Sequence, residues 1–359
     1  MEIIPKQTDV YKLSAPMLFD FDAIDSYVEY NKKYKKSQIK VLFQAIPWPQ
    51  TEKFNEWFMP NRFGLSNPAI ATYEDFDKYV QYSMERGFEI IYLLNSPKAF
   101  NNRDLEPFRK DFYELLDRLW DSGIRRLKFG NTQVAQLINE YNPNFQLSLA
   151  VTIEYQAISQ FRRLLEYFPN INHVCIPKDL NQNFHMLEAF KKSFPHIEFE
   201  LMVNEACPKW CPSRLSCSAS SNSDYYKIGC KIARQNDLLS RCRCGAIHPW
   251  QLEYYSALGF NHFKILTQKS RTTSKDTTNI GNYMQNIEYG TQGQHGREYL
   301  ENYCFNLAYS AKPEECMALL PNVEYFIKNG DKCAYDCGVN CTYCDDCAKK
   351  IQQLIKERV

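Results

Sequence analysis

The chain has 359 residues, 44% hydrophobic and 14% aromatic, which is enough to fill a large core. Its 43 basic and 42 acidic residues leave a formal charge of +1, so no global field draws it to DNA or an anionic membrane, and charge does not indicate nucleic acid as a partner. No basic leader runs into an apolar stretch, and no run of apolar residues is long enough to span a bilayer, so a cytoplasmic protein with no membrane association is expected.

Short apolar, β-branched runs alternate with longer amphipathic stretches, the pattern of βα units repeated around a parallel sheet. The charge run KKYKK at 32–36 reads as a solvated helix face or turn ahead of the first strand. Strands are expected over 39–46, 88–95, 124–130, 147–153, 172–179, 197–204, weakly at 245–248 (GAIH), and over 262–267. Helices are expected between them, over 72–87, 105–123, 132–141, 154–169 and 180–195, several of them stopped by Gly or Pro. Eight strands fit an α/β fold of the (β/α)8 TIM-like type. A doubly wound open sheet is the rival, weakened because no glycine-rich phosphate loop follows the first strand.

The long Trp-, Phe- and Pro-rich loop after that first strand, 46–68, is expected to form a lid over an organic ligand. The loop TQKSRTTSK after the last strand, with Lys269 and Arg271, reads either as an anion-binding loop or as a plain polar one. From about 290 the chain turns to helices, over 297–311 and 313–330, and ends in a cysteine group and a short helix. The expected division is a barrel over 1–290 with a cysteine-rich insert at 205–245, and a helical, cysteine-rich C-terminal subdomain over 291–359.

Fourteen cysteines in a reducing compartment point to metal rather than to disulfides. The first 174 residues hold none, and Cys175, Cys304 and Cys316 read as packed thiols. The rest form two groups: Cys207, Cys211, Cys217, Cys230, Cys242 and Cys244, then Cys333, Cys337, Cys341, Cys344 and Cys347. The first group lacks any C-x2-C knuckle, and its irregular spacing suits an iron–sulfur cluster better than tetrahedral zinc. In the second, Cys337, Cys341, Cys344 and Cys347 are close enough in sequence for a second cluster or a zinc ion. Cys207 and Cys211 follow the sixth expected strand directly, at the end of the barrel where active sites are built.

The segment LMVNEACPKWCPSR, with HVCIPKDLNQNF before it and HPWQLEYYSALGFNHFKI after it, resembles the peptidase U32-like family over roughly residues 120–275. Despite the peptidase name, that resemblance implies a barrel holding a [4Fe-4S] cluster on four cysteines, with oxygen-independent hydroxylation as the chemistry of several members. Carried onto this chain, it assigns ligation to Cys207, Cys211 and Cys230. The fourth ligand is Cys244 in preference to Cys242 or Cys217. Where the family's last strand ends Lys-Ile-Glu-Gly-Arg, this chain has KILTQ, keeping Lys264 but not the acidic and arginine positions.

Polar residues at expected strand ends are Asn95, Asn131, Glu154, Asp179, Asn204, Glu205, His248 and Lys264. Asn131 and Asp179 are expected as helix caps. Glu205, beside the first ligand cysteine, is the expected proton-transfer group, with Asn204 and Lys264 as catalytic companions. The expected function is iron–sulfur-dependent redox modification of a small organic substrate, served by an electron-donor protein. The alternatives are a metal-stabilised scaffold or electron carrier and, with no nucleophile motif to support it, a U32-type peptidase.

Overall fold

The computed structural model describes residues 2–45, 72–96, 102–155, 157–204, 209–211, 242–266, 277–290, 313–330, 337 and 339–357. Eight parallel strands close into a barrel in sequence order, β8 pairing with β1. They are β1 (Tyr11–Pro16), β2 (Ser37–Gln44), β3 (Glu89–Leu94), β4 (Arg126–Phe129), β5 (Gln146–Leu149), β6 (Ile171–Ile176), β7 (Glu198–Met202) and β8 (His262–Lys264). Around them run α1 (Phe21–Lys33), α2 (Tyr73–Glu85), α3 (Asn102–Asp121), α4 (Thr132–Tyr141), α5 (Ile158–Tyr167), α6 (Phe184–Ser193), α7 (Leu252–Ala257) and α8 (Thr278–Tyr289). The chain is therefore a (β/α)8 barrel, as its alternating pattern predicts. None of the described helices is long and apolar enough to cross a membrane.

Local chemistry starts these helices where the sequence says it should. The Asp20 carboxylate accepts from the Asp22 N–H at the head of α1, and Lys32 and Lys33 of the KKYKK run sit in its last turn, where cations suit the helix dipole. Thr72 caps α2, whose Phe76, Tyr79, Val80 and Ser83 fall on one face and are buried. Asn131 caps α4 by accepting from Val134 N–H at 3.0 Å, as expected. Asp179 does not cap α6: it lies in a short 3-10 turn, and Asn183 caps that helix instead. Where β4 ends, Gly130 lies so close to β3 that a Cβ would sit 2.4 Å from the Asn95 carbonyl, which excludes any side chain there.

Two strand expectations are corrected, and they offset each other in the count. Residues 11–16, expected to be no strand at all, form β1, because Lys12 and Ser14 point into the barrel and break up the apolar run that marks the other strands. GAIH at 245–248 is not a strand: Gly245 adopts φ +69°, and this segment's ladder-like contact is one bond from Ile247 N–H to Val203 O at 2.8 Å. The cysteine-bearing loop thus follows the seventh strand, not the sixth, and the expected lid follows the second.

The C-terminal extension supplies α9 (Pro313–Leu319), α10 (Val323–Asn329) and α11 (Tyr343–Lys356). Val323, Phe326, Ile327, Cys344, Cys347 and Ile351 are buried and continuous with the core of the barrel. The extension lies against the α6–α7 side, where Gln251 Nε2 donates to Pro321 O at 3.4 Å and Tyr254 Oη to Glu324 Oε1 at 3.2 Å.

Arg243, between Cys242 and Cys244, grips Asp345 of α11 with two bonds, Nε at 2.9 Å and Nη2 at 2.6 Å. The pair is partly exposed, so Arg243→Ala should cost only about 1 kcal/mol in chemical denaturation. Hydrogen exchange should nevertheless speed up selectively in α11, and uniform exchange across the chain would count against this clamp.

Candidate active site and its buried ionic interior

Barrels of this type are usually filled by layers of branched aliphatic side chains, four to a layer from alternate strands. Here five strands each turn two polar or ionisable residues inward, Lys12 and Ser14, Arg126 and Lys128, His173 and Cys175, Glu198 and Glu200, His262 and Lys264, and β5 adds Ser148. At the bottom, Glu198 receives Lys12 at 2.6 Å and Arg126 at 3.2 Å, and Arg126 also reaches Glu89 at 2.9 Å. One layer up, His262 places Nδ1 2.9 Å from Glu198 Oε1, and His173 Nδ1 lies 2.7 Å from Ser148 Oγ. Above these, Glu200 accepts from Ser14 Oγ at 2.5 Å and from Lys128 Nζ at 2.7 Å. The top of this stack is Lys264, whose Nζ sits 3.6 Å from the centre of the Phe43 ring.

The electrostatics follow from that stacking. Burial alone would push the Glu200 carboxyl upward, but Lys128, His173, Lys264 and His262 outweigh it and hold Glu200 well below the usual carboxylate range. Burial would likewise lower Lys128, yet Glu200 more than compensates and keeps it raised. Lys264 is different. Burial and the neighbouring Lys128 charge together bring it down to about 8, despite the attraction of Glu200. Cys175, buried beside Glu200, is pushed up to about 12 and is a neutral thiol. Burial pushes His173 well below its ordinary value, leaving a neutral imidazole.

At the C-terminal rim, Asn204 is almost wholly buried and fastens β7 to β8. Its Nδ2 donates to Leu266 O at 2.5 Å while Leu266 N–H donates to its Oδ1 at 2.7 Å. The short segment 209–211 is joined to 242–244 by Lys209 N–H donating to Arg243 O at 3.1 Å. Asn181 Nδ2 ties the same region down by donating to both Met202 O at 2.8 Å and Gly245 O at 3.0 Å. Cys211 is half-buried, Cys242 and Cys244 are buried, and none of the three is in a disulfide.

Cys207, Cys217, Cys230 and Glu205 lie outside the described residues, as do the expected lid and the TQKSRTTSK loop. In the tail, Cys344 and Cys347 are buried on α11, and Cys341 Sγ lies 3.3 Å from Tyr325 Oη. Among the described residues, the group of His, Cys, Asp or Glu ligand atoms that all lie within 4.8 Å of one another is His173, Glu200 and His262, not a set of thiols. The sequence reading named none of these three as functional.

His248, expected at the rim, is buried and stacked on Trp250 with ring centroids 4.6 Å apart. Burial pushes it down to about 4. As pH falls below about 6.5, the unfolded chain takes up this proton and the folded chain does not, so stability should decline by about 3 kcal/mol between pH 6.5 and 4. Urea midpoints for wild type and His248→Gln should therefore converge towards low pH. Parallel curves would contradict the assignment.

The fold and this interior define a (β/α)8 barrel with an ionic rather than aliphatic centre and a thiol-rich C-terminal rim. No family model matches the chain. A search of curated proteins finds small ribosomal subunit protein bS6 of Shouchella clausii (strain KSM-K16), 29% identical over 99 residues, covering 26% of this chain and 97% of that protein. Among solved structures, the U32 peptidase Mk0906 is similar with a TM-score of 0.46 at 12% identity, over 75% of this chain and 97% of that one. A GH113 β-1,4-mannanase gives 0.40 at 11% identity, over 81% and 95%. A xylose isomerase-like TIM barrel/4-hydroxyphenylpyruvate dioxygenase fusion protein gives 0.41 at 9%, over 83% of this chain and 44% of that one. At such identities these likenesses assign no activity.

Proposed function

We propose that this chain is an iron–sulfur-dependent enzyme that modifies a small organic substrate at the C-terminal mouth of its barrel, by oxygen-independent hydroxylation or a related redox reaction. The observation that carries this reading is the joining of segments 209–211 and 242–244 across the ends of β6 and β7. That join sets Cys211 beside the segment carrying Cys242 and Cys244, which Asn181 ties to Met202 at the end of β7. Cys211 and Cys244 on those segments, with Cys207 and Cys230 in the chain beside and between them, are soft donors of the kind a cluster takes.

A [4Fe-4S] cluster held by Cys207, Cys211, Cys230 and Cys244 would supply electron transfer, fed by an electron-donor protein. The chain's own residues do the rest. Lys264, about half protonated at pH 8 and walled by Phe43, is suited to hand a proton to a substrate oxygen or take one from it. Lys128 and Glu200 hold the field around it, and Asn204 fixes the rim on which the substrate rests. Glu205, next to Cys207, is the companion acid or base. The tail cysteines Cys337, Cys341, Cys344 and Cys347 would hold a second cluster or a zinc ion, and Arg243 and Asp345 link that tail to the segment that carries Cys244.

Single serine replacements of Cys242 and Cys244, each purified anaerobically, test the ligand set. Cys244→Ser should lose most of the visible cluster absorbance, while Cys242→Ser, whose thiol belongs to the core, should keep it. Equal retention in both would remove Cys244 from the set.

A further inference from the structure

A second and separate site lies in the middle of the barrel. Two imidazoles and a carboxylate converge there from β6, β7 and β8: His262 Nε2 is 3.6 Å and His173 Nε2 4.0 Å from the same oxygen, Glu200 Oε1. All three side chains are essentially fully buried. Two of the three far polar atoms are hydrogen-bonded, and the third, His262 Nδ1, lies beside a carboxylate without hydrogen-bond alignment. His173 Nδ1 lies 2.7 Å from Ser148 Oγ, His262 Nδ1 lies 2.9 Å from Glu198 Oε1, and Glu200 Oε2 takes Lys128 at 2.7 Å.

His173 and Glu200 are held as metal-binding groups are, the outer atom fixed by a hydrogen bond that aims the inner lone pair, and His262 Nδ1 faces the Glu198 carboxylate, the side to which its proton is drawn. With protons on the two Nδ1 atoms, lone pairs on both Nε2 atoms face the carboxylate oxygen. Ser14 Oγ lies 2.7 Å from His262 Nε2 and 2.5 Å from Glu200 Oε1, and its single proton answers one of the two, leaving the other open to a cation. His173 Nε2 is answered by nothing among the described residues, although the side chain is wholly buried. A buried imidazole nitrogen left without a partner is costly, and opposite a carboxylate oxygen the group that satisfies both is a cation.

We propose that His173, Glu200 and His262 form a mononuclear site for a divalent first-row metal of the Fe2+ or Mn2+ type, with Ser14 Oγ beside its remaining coordination positions. Two histidines and one carboxylate are the donor set that such ions take when positions are left open to small ligands. The inner atoms need to draw in by several tenths of an ångström to reach bonding distance, which rotation of the two rings and of Glu200 supplies. Lys128 does not compete, because it occupies the other carboxylate oxygen. The site shares no residue with the cysteine set and stands whether or not a cluster is present.

The test is titration of the full-length chain with Mn2+, followed by electron paramagnetic resonance. Mn2+ is the probe because thiolates bind it weakly, which leaves the fourteen cysteines largely silent. The expected result is loss of the free-ion signal at one equivalent per chain, with hyperfine coupling from two imidazole nitrogens. His173→Asn should weaken binding at least tenfold while its circular dichroism stays that of the wild type. No binding by the wild-type chain, or binding without imidazole coupling, overturns the site. The hyperfine measurement needs no variant, so it decides the matter even if His173→Asn fails to fold.

Discussion

Replacing Glu200 by glutamine should destabilise the barrel by about 3–5 kcal/mol, among the largest losses expected of any polar substitution in this chain. Glu200 and Lys128 are both buried and 2.7 Å apart, so removing the carboxylate strands an ammonium inside the barrel with no water to turn to. Ser14 loses its ionised acceptor at the same time. The damage comes from the stranded charge more than from the lost bond, so Lys128→Met added to Glu200→Gln should recover a large part of it. Urea denaturation of the two single variants and the double variant measures this coupling. Additive losses would show that the pair is not the unit described.

Lys264→Met should do the opposite to stability while abolishing function. The ammonium is buried and sits near Lys128, which brings its pKa from 10.5 down to about 8. Below pH 8 the folded chain bears the full cost of keeping this proton, and between pH 8 and 10.5 that cost fades as the folded chain sheds the proton ahead of the unfolded one. A neutral side chain of similar length should therefore stabilise the protein by about 2–3 kcal/mol at pH 7, an advantage that shrinks as pH rises towards 10. In the proton-transfer role proposed for Lys264, its loss should cost conversion of the substrate about 100-fold or more. A residue that weakens the fold it sits in and is still required is one kept for chemistry. If Lys264→Met is both less stable and fully active, Lys264 is a structural lysine.

The barrel was legible because the helices announce themselves. Thr72, Asn131 and the glycine or proline stops mark where helices begin and end, and the apolar runs between them are strands. What was not legible was the polarity of the interior. A strand is normally recognised by apolar residues on its buried face, so β1, with Lys12 and Ser14 on that face, gave no such signal. The weak apolar run at 245–248 filled the vacant place in the count.

A usable signal was present all the same. Polar residues two apart recur in KLS, RLK, HVC, EFE and HFK, and laid in register around a closed barrel they share one face and meet at its axis. Recognising that requires knowing which strands pair and that the sheet closes: the pairing of β6, β7 and β8 sets His173 and His262 on the two sides of Glu200, and closure brings Ser14 of β1 and Lys128 of β4 to it. Lys264 was named for another reason: it lies at a strand end, the position in such barrels where chemistry is expected. Asn204 was named for the same reason, and its amide is engaged in holding β7 to β8.

The central claim is that the cysteines around the β7 rim hold an iron–sulfur cluster, and acid-labile sulfide in the anaerobically purified full-length chain tests it most directly. Sulfide near four per chain, with iron at least equal to it and a visible absorption band bleached by dithionite, is the predicted result, and sulfide near eight would place a second cluster in the C-terminal extension. Any iron in excess of sulfide belongs to a site without bridging sulfur. Zinc with no sulfide would contradict the account, leaving a barrel whose thiols serve structure alone.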